Sequence, residues 1–401
     1  MNVCLVSREY PFQTAWGGIG KHAYLLAHGL IKLGCQVHVI CQSLDVDKEY
    51  IEDNVFIHRI SHQTFFYHKG FLKEFCLRLE YSYRAYQKLK ELIKKYHIDI
   101  VEVPNFSAEG FVYSLFKKTP LVTRLHTHFS EVIEFSEWQK TFDRCLSCWL
   151  ENSAILKSDL VICSTQKHKE VIFDEIGLNS KNTEIIPLGV PLPDLKENNS
   201  KHNHPLTILF VGRLEKRKGI HILFKAIPYV LEEFPDTKFL IVGRDTYVSK
   251  DFISFSGKEE DSSKKKLTES IPKKYLENIY LLGYVDDRTL SQYYSSCDIF
   301  VAPSLYESFG FIYIEAMSYA KPVIGCGVGG VPEIIKDGEV GILVPPQDHI
   351  RLAEAIIYLS RDPALRLKLG LNARRHVKDN FTVELMAKRT LSTYKKILKS
   401  R

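Results

Sequence analysis

Apolar residues are distributed along this chain in two alternating patterns. Short unbroken runs, at Asn2 to Ser7, Val37 to Cys41, Ile98 to Val103, Leu121 to Leu125 and Leu160 to Ser164, have the character of strands buried on both faces of a sheet. Between the earlier runs lie stretches with apolar residues at helical spacing, Lys21 to Leu33 ending at Gly34, and Phe71 to Tyr96. After Glu184 to Val190 the pattern lapses into Pro191 to Pro205, rich in Pro, Asn, Lys and His, which predicts a linker over 191–205. It then resumes. Strands are expected at Thr207 to Val211, Lys238 to Val242, Ile279 to Val285, Ile299 to Ala302 and Ile342 to Val344, with helices from Lys218-Gly219 to Phe234, Leu352 to Leu359, Leu365 to Val377 and Phe381 to Leu398. Strand and helix in alternation predict parallel sheets with helical crossovers, hence an α/β protein of two domains, 1–190 and 206–380.

The densest stretch is Asp298 to Glu333, where two short strands, two glycine turns and four carboxylates share one unit. Ile299 to Ala302 closes at Pro303-Ser304, and Glu307-Ser308-Phe309-Gly310 fill the turn. Phe311 to Tyr319 resumes as a helix carrying Glu315 one to two turns inside. The carboxyl end of a strand in an open α/β sheet is where ligands bind. Two carboxylates eight positions apart, flanking the free N–H groups of a helix start, suit an elongated ligand with a diphosphate between two hydroxyl-bearing ends. On spacing alone Glu307 reads as a helix cap and Glu315 as an ordinary solvated helix residue. Arg213 and Lys218 lie five apart around the turn after Thr207 to Val211, close enough to converge on one diphosphate, although any helix start can show exposed basic residues.

The remaining sequence narrows the classes. Glycines Gly17, Gly18 and Gly20 follow the first strand after a nine-residue loop and read G-G-x-G. The second strand ends in Cys41-Gln42 in place of a ribose-binding acid, so a dinucleotide fingerprint fails twice, and no P-loop occurs. Cys145 and Cys148 form one C-x-x-C without a second pair, and the other cysteines sit mostly in apolar runs, as in a reducing compartment. That compartment gives no meaning to the sequons at Asn105, Asn198 and Asn380. No apolar run is long enough to cross a bilayer and the chain enters its first strand without a leader pattern, so a cytoplasmic protein is expected. Net charge is +6, with 23 basic against 24 acidic residues in 1–200 and 31 against 24 in 201–401. The excess sits in the half expected to hold an anion, and no zinc spacing, RNA-binding or helix-turn-helix pattern points to nucleic acid. The stretch from Phe71 to Tyr96 carries seven basic residues against three acidic ones. It reads either as a solvated amphipathic helix or as a peripheral contact with the cytoplasmic membrane face. Asp286-Asp287 opens a helix and is expected to cap it rather than bind metal.

Pro303-Ser304, Glu307-Ser308-Phe309-Gly310, Glu315-Ala316, Lys321-Pro322-Val323 and Gly329-Gly330 to Glu333 together resemble the donor-site signature of family 4 glycosyltransferases, retaining enzymes with the GT-B fold. The resemblance spans nearly the whole chain and implies two Rossmann-like domains facing each other across a cleft, with 381–401 returning as a helix to the first. It implies a hexosyl transfer from a UDP- or GDP-sugar to a hydroxyl of a sugar, polysaccharide or glycolipid, with no cofactor and no essential metal. In the resembled family G-R-x-x-x-x-K-G binds phosphate, which assigns Arg213 and Lys218. Gly17-Gly18 close on the diphosphate, Tyr284-Val285 meet the base through their backbone, Glu307 holds sugar hydroxyls and Glu315 the ribose. The turn Ser308, Phe309 and Gly310 completes the donor site, and His126, at a strand end, approaches the sugar. Glu131, Glu134 and Glu137 are weaker candidates for the acceptor. Thr246 to Lys274 stands as a polar insertion where the family has a short turn. Two other readings stand beside it: a sugar-nucleotide epimerase or a phosphorylase, which keeps the fold and changes the reaction, and a sugar-nucleotide-binding protein without turnover.

Overall fold

The computed structural model describes every residue except 12–13, 15–16, 62–71, 136–138, 179–181, 196–204, 245–266 and 401. The chain forms two units, Met1–Gly189 with Thr382–Arg401, and Val190–Phe381. The first holds β1 (Asn2–Val6), β2 (Gln36–Ser43), β3 (Lys48–Glu52), β4 (Val55–Ser61), β5 (Ile100–Pro104), β6 (Leu121–Arg124), β7 (Leu160–Cys163) and β8 (Thr183–Ile185). They form one sheet in the order β3-β4-β2-β1-β5-β6-β7-β8, parallel throughout except for the antiparallel β3–β4 edge. The β3–β4 hairpin was not apparent in the apolar pattern. Its signal is the two-residue turn Asp53-Asn54, both at positive φ, the combination that matches a hairpin's twist.

Around this sheet run α1 (Gly18–Lys32), α2 (Lys73–Tyr96), α3 (Phe111–Phe116), α4 (Phe129–Phe135), α5 (Phe142–Leu156) and α6 (Gln166–Ile176). Leu26 and Leu30 of α1 pack against Val3, Val37 and Ile57, whereas Tyr81, Ala85, Leu89 and Leu92 of α2 pack with Cys4, Val101 and Ile40. The basic face expected of α2 is only partly outward. Arg78 is buried with its guanidinium 3.9 Å from the Phe129 ring centroid, Arg84 pairs with Asp47 at 3.3 Å and Lys88 with Glu49 at 2.5 Å. Lys90, Lys94 and Lys95 remain exposed.

The second unit holds β9 (Thr207–Val211), β10 (Lys238–Val242), β11 (Ile279–Gly283), β12 (Ile299–Ala302), β13 (Val323–Cys326) and β14 (Gly341–Val344) in one parallel sheet, ordered β11-β10-β9-β12-β13-β14. Its helices are α7 (Ile220–Glu233), α8 (Asp287–Ser296), α9 (Phe311–Ser318), α10 (Val331–Ile334), α11 (His349–Arg361) and α12 (Pro363–Asn380). Leu223, Phe224 and Ile227 of α7 and Leu352 and Ile356 of α11 share one core with Ile208, Phe210, Phe239 and Val301. Asp286 caps α8 as expected, its carboxylate accepting from the Thr289 N–H at 2.7 Å. The chain passes from the first unit to the second between Gly189 and Val190, and the Pro193 carbonyl accepts from Arg374 at 2.7 Å. Most of the polar insertion expected at 246–274 lies outside the described residues.

The last helix, α13 (Val383–Lys399), belongs to the first unit and packs along α1. Gly29 allows the approach, since a Cβ there would stand 2.7 Å from that of Ala387. Beneath it lies a buried ionic network. Arg124 grips Glu102 at 2.7 and 3.2 Å and donates to the Thr390 hydroxyl at 3.0 Å, and the Tyr394 hydroxyl donates to Glu102 at 2.5 Å. Burial pushes the Glu102 carboxyl up, but Arg124 and its other partners more than offset this and hold it at about 2. Among the described residues no helix is long and apolar enough to cross a membrane.

Candidate active site

In each sheet the strand order reverses once, and the loops after the two strands flanking that reversal border a crevice at the carboxyl edge. In the second unit the flanking strands are β9 and β12. The loop after β9 carries Arg213, Glu215, Arg217 and Lys218, and the loop after β12 carries Ser304, Glu307 and Ser308. The two loops are tied together. The Leu305 N–H donates to the Arg217 carbonyl at 2.7 Å, and Gly219, at φ +69°, is so close that a Cβ would lie 1.8 Å from the Pro303 carbonyl oxygen. Glycine is required there on both counts.

Side chains complete the junction. Lys218 Nζ meets Glu307 Oε1 at 2.6 Å, and that oxygen also accepts from the Ser304 hydroxyl at 2.9 Å. Arg213 and Arg217 both reach Glu215, at 3.1 and 2.9 Å, and Arg217 Nη1 lies 3.3 Å from the Tyr306 carbonyl and 3.9 Å from Glu307 Oε2. Burial pushes the Glu307 carboxyl up, but Lys218 and Arg217 together hold it below the ordinary carboxylate range. Burial also lowers the Lys218 ammonium despite Glu307 beside it, so the attraction only partly offsets dehydration. The short contact and the Ser304 hydroxyl are those of an ion pair. Three cations against two carboxylates leave the junction with a surplus positive charge.

Glu315 is placed one and a half turns into α9, buried, and its Oε2 accepts from the Tyr294 hydroxyl of α8 at 2.9 Å. Phe309 turns its ring into the unit, edge-on to Phe381 at 5.9 Å, so in this turn it presents backbone rather than side chain. Gly310, at φ +96°, starts α9. The Glu307 carbonyl receives the Gly330 N–H at 2.9 Å, which joins the second glycine turn to the first. Tyr284, just past β11, is 61% exposed with the Arg244 guanidinium 4.3 Å from its ring centroid, and Val285 follows it. Arg217, Glu215 and Tyr294 were not singled out from sequence, and Ser304 only as part of the Pro303-Ser304 motif. Glu215 and Arg217 stand within the basic motif itself and were legible there, whereas nothing in the sequence joins Tyr294 to Glu315.

In the first unit Gly17 is the cap residue of α1 and Gly18 its first residue, at the end of the loop after β1. His126 follows β6, buried, with its N–H on Asn105 Oδ1 at 2.6 Å and its ring edge-on to His22 at 5.3 Å. Burial pushes His126 well below its ordinary value, and His22 down to about 4, so both rings are neutral at pH 7. The expectation that Glu131 meets an acceptor does not hold for its carboxylate. It is 3% exposed, accepts from the His128 N–H at 2.7 Å and sits 3.3 Å from His168, so it is committed inside the fold. Glu134 is exposed on α4, and Glu137 lies outside the described residues. Among the described residues no group of three or more His, Cys, Asp or Glu is placed to hold a metal ion.

An α/β sheet with a reversal point in each unit, and in the second a basic loop locked to an acidic one, is the arrangement expected of the GT-B fold. The comparisons agree along the chain. Residues 16–193 match the glycosyltransferase family 4 model and residues 193–376 the glycosyl transferases group 1 model. An uncharacterized glycosyltransferase of Methanocaldococcus jannaschii is 28% identical over 98% of both chains. A phosphatidyl-myo-inositol mannosyltransferase of Mycobacterium leprae is 28% identical over 91% of this chain and 88% of its own. In fold, the chain is similar to sucrose-phosphate synthase from Thermosynechococcus elongatus, with a TM-score of 0.80 at 24% identity over 100% of both. It is also similar to Anabaena HepE, solved in complex with UDP and glucose, with a TM-score of 0.72 at 20% identity over 98% of both. The chain belongs to the family 4 glycosyltransferases.

Proposed function

We propose that this glycosyltransferase is retaining and moves a hexosyl unit from a UDP- or GDP-sugar to a hydroxyl of a sugar, polysaccharide or glycolipid. The observation that carries the reading is the junction of the β9 and β12 loops, where Lys218 and Glu307 meet at 2.6 Å with Arg213 and Arg217 alongside. Transfer breaks the anomeric C–O bond to the diphosphate and forms one to the acceptor oxygen. The bond's electron pair leaves with the diphosphate, and Arg213, Lys218 and the N–H groups at the loop ends stabilise that charge. Glu307 accepts from sugar hydroxyls when Lys218 turns to the phosphates, and Glu315, steadied by Tyr294, accepts from the ribose. Tyr284 and Val285 offer backbone to the base. In the first unit Gly17 and Gly18 let backbone approach the diphosphate, and His126, neutral, donates to or accepts from the sugar without adding charge. The protein's own cations supply the counter-charge, so the reading calls for neither cofactor nor essential metal. It places the enzyme in the cytoplasm, where such donors are made.

Thermal melting with UDP, GDP, ADP and NAD, followed by the matching sugar conjugates, tests this reading. A ligand at a hundred times its Kd adds about 2.7 kcal/mol of stability. We expect UDP or GDP to raise the melting temperature, and Lys218→Met to abolish the rise. Stabilisation by NAD alone, or donor consumption without acceptor, would overturn the proposal.

A further inference from the structure

On α5 every exposed residue is apolar: Phe142, Cys145, Trp149 and Leu156. They recur at one face of the helix, at steps of three, four and seven residues. The neighbouring helix α3 ends the same way, its two exposed residues being Leu115 and Phe116. The two faces are joined, since the Phe111 ring of α3 lies 5.8 Å from Trp149 and Lys117, just beyond α3, donates to the Lys157 carbonyl just beyond α5 at 2.5 Å. On its other side Phe116 lies 5.6 Å from Tyr86 of α2. Phe142, Trp149, Leu156 and Phe116 are each more than half exposed, at 57, 54, 51 and 60%. Single exposed apolar residues are ordinary, but a continuous set on adjoining helices marks a surface that meets something.

The charge around it indicates what. Lys90 and Lys94 of α2, Lys118, Lys140 and Lys157 are exposed along its border. Two of the acids nearby are committed within the fold. Asp143 accepts from the Glu74 and Phe75 N–H groups at 2.9 and 2.8 Å and Asp159 holds Lys117 at 3.0 Å, while Glu91 is an exposed acid on α2 paired with Lys88 at 2.8 Å. A second copy docked face to face would set one lysine border against another. An anionic bilayer surface satisfies both parts, because aromatic rings settle at the headgroup level while lysines meet lipid phosphates.

We infer that the outer face of α3 and α5, bordered by the lysines of α2 and the helix ends, is a docking surface for an anionic lipid bilayer. This surface is distinct from the donor site and its test does not depend on the transfer reaction. It moves the lipid contact expected of helix 71–96 from a purely basic face to an aromatic one beside it.

Flotation of the full chain on phosphatidylcholine vesicles with and without phosphatidylglycerol tests the inference. The protein is expected to float with the mixed vesicles and to do so weakly with phosphatidylcholine alone. Trp149→Glu and Phe116→Glu should each lower the bound fraction about tenfold, and the double variant Lys90→Glu/Lys94→Glu by a similar factor while weakening its salt dependence. Brominated lipid chains should quench part of the wild-type tryptophan emission. Trp149→Phe should still float but lose that part of the quenching, and this reading stands even if the glutamate variants fold poorly. Absence of flotation on both vesicles would overturn the inference. So would flotation indifferent to Trp149→Glu in a variant that melts like wild type, or a wild-type dimer that Trp149→Glu splits without any vesicle binding, which would make the face a contact between copies.

Discussion

Replacing Lys218 by methionine keeps the bulk of the side chain and removes its charge from the junction between the β9 and β12 loops. Glu307 would then be left with the Ser304 hydroxyl at 2.9 Å and Arg217 at 3.9 Å, in a position only 6% exposed. Breaking a buried pair costs roughly 3–5 kcal/mol when the survivor stays charged. Here Arg217 remains nearby and Glu307 can take up a proton, which limits the loss to about 2–3 kcal/mol. For a unit of this size that is a fall of roughly 4–12 °C in melting temperature. The pH dependence has a definite sign. Glu307 is held below its ordinary value in the folded chain, so its contribution is complete above about 4.5 and fades as pH falls through the lower folded value. In Lys218→Met that acid-side loss should shrink. Turnover should fall as well, because one charged contact to the leaving diphosphate is worth roughly 1.5–3 kcal/mol, about tenfold to a hundredfold in kcat/KM. A double-mutant cycle with Glu307→Gln separates the two effects, using chemical denaturation for the coupling energy and initial rates for kcat/KM. If Lys218→Met kept kcat/KM within about twofold of wild type, or lost turnover only when Glu307 was intact, Lys218 would be a partner of Glu307 and not a contact to phosphate.

Gly219→Ala should be worse than any charge removal at the site, since its Cβ would stand 1.8 Å from the Pro303 carbonyl oxygen at a φ of +69°. We expect a loss of more than about 3 kcal/mol and no measurable nucleotide binding, checked by denaturation and calorimetry, and a stable Gly219→Ala would refute the close approach of the two loops. Tyr394→Phe deletes the donor 2.5 Å from buried Glu102 and should cost the first unit roughly 1.5–3 kcal/mol, read as a lower unfolding midpoint. The same network sets the acid response. His22 is held at about 4 against an ordinary 6.5, so unfolded chain gains the proton first and stability falls from about pH 6.5 toward 4, and Glu102, at about 2 against 4.5, extends the fall from about pH 4.5 toward 2. A melting temperature that stayed flat between pH 7 and 4 would contradict this.

The elements that were legible in sequence are those that use the full signal of a buried parallel strand. Ile299 to Ala302 and Lys238 to Val242 appear at the positions their apolar runs indicate, because both faces are covered and nothing polar interrupts them. β3 was not legible, as Lys48–Glu52 lies on an edge with mostly exposed residues and no apolar run to announce it. The placement of Arg213, Lys218, Glu307 and Glu315 was legible because each lies on a loop or helix fixed by a strand end, where spacing along the chain nearly equals placement in space. Long-range partners have no such trace. Glu131 appeared as an outward acid in a helical run, and only the fold shows that His168, thirty-seven positions later, turns it inward. For Arg78 the count of basic residues along α2 gave the wrong sense, since its guanidinium is buried against the ring of Phe129, an aromatic from another element.

The return of α13 to the first unit has a consequence for how the chain is made. Met386 and Tyr394 are part of the core formed by Leu5, Leu26 and Val39, and Thr390 completes the buried grip on Arg124. The second unit, by contrast, is one uninterrupted stretch from Val190 to Phe381. On a ribosome the unit that begins first therefore finishes last. Its sheet must wait, with a helix-wide apolar strip of α1 uncovered, while the whole second unit is synthesised and free to fold.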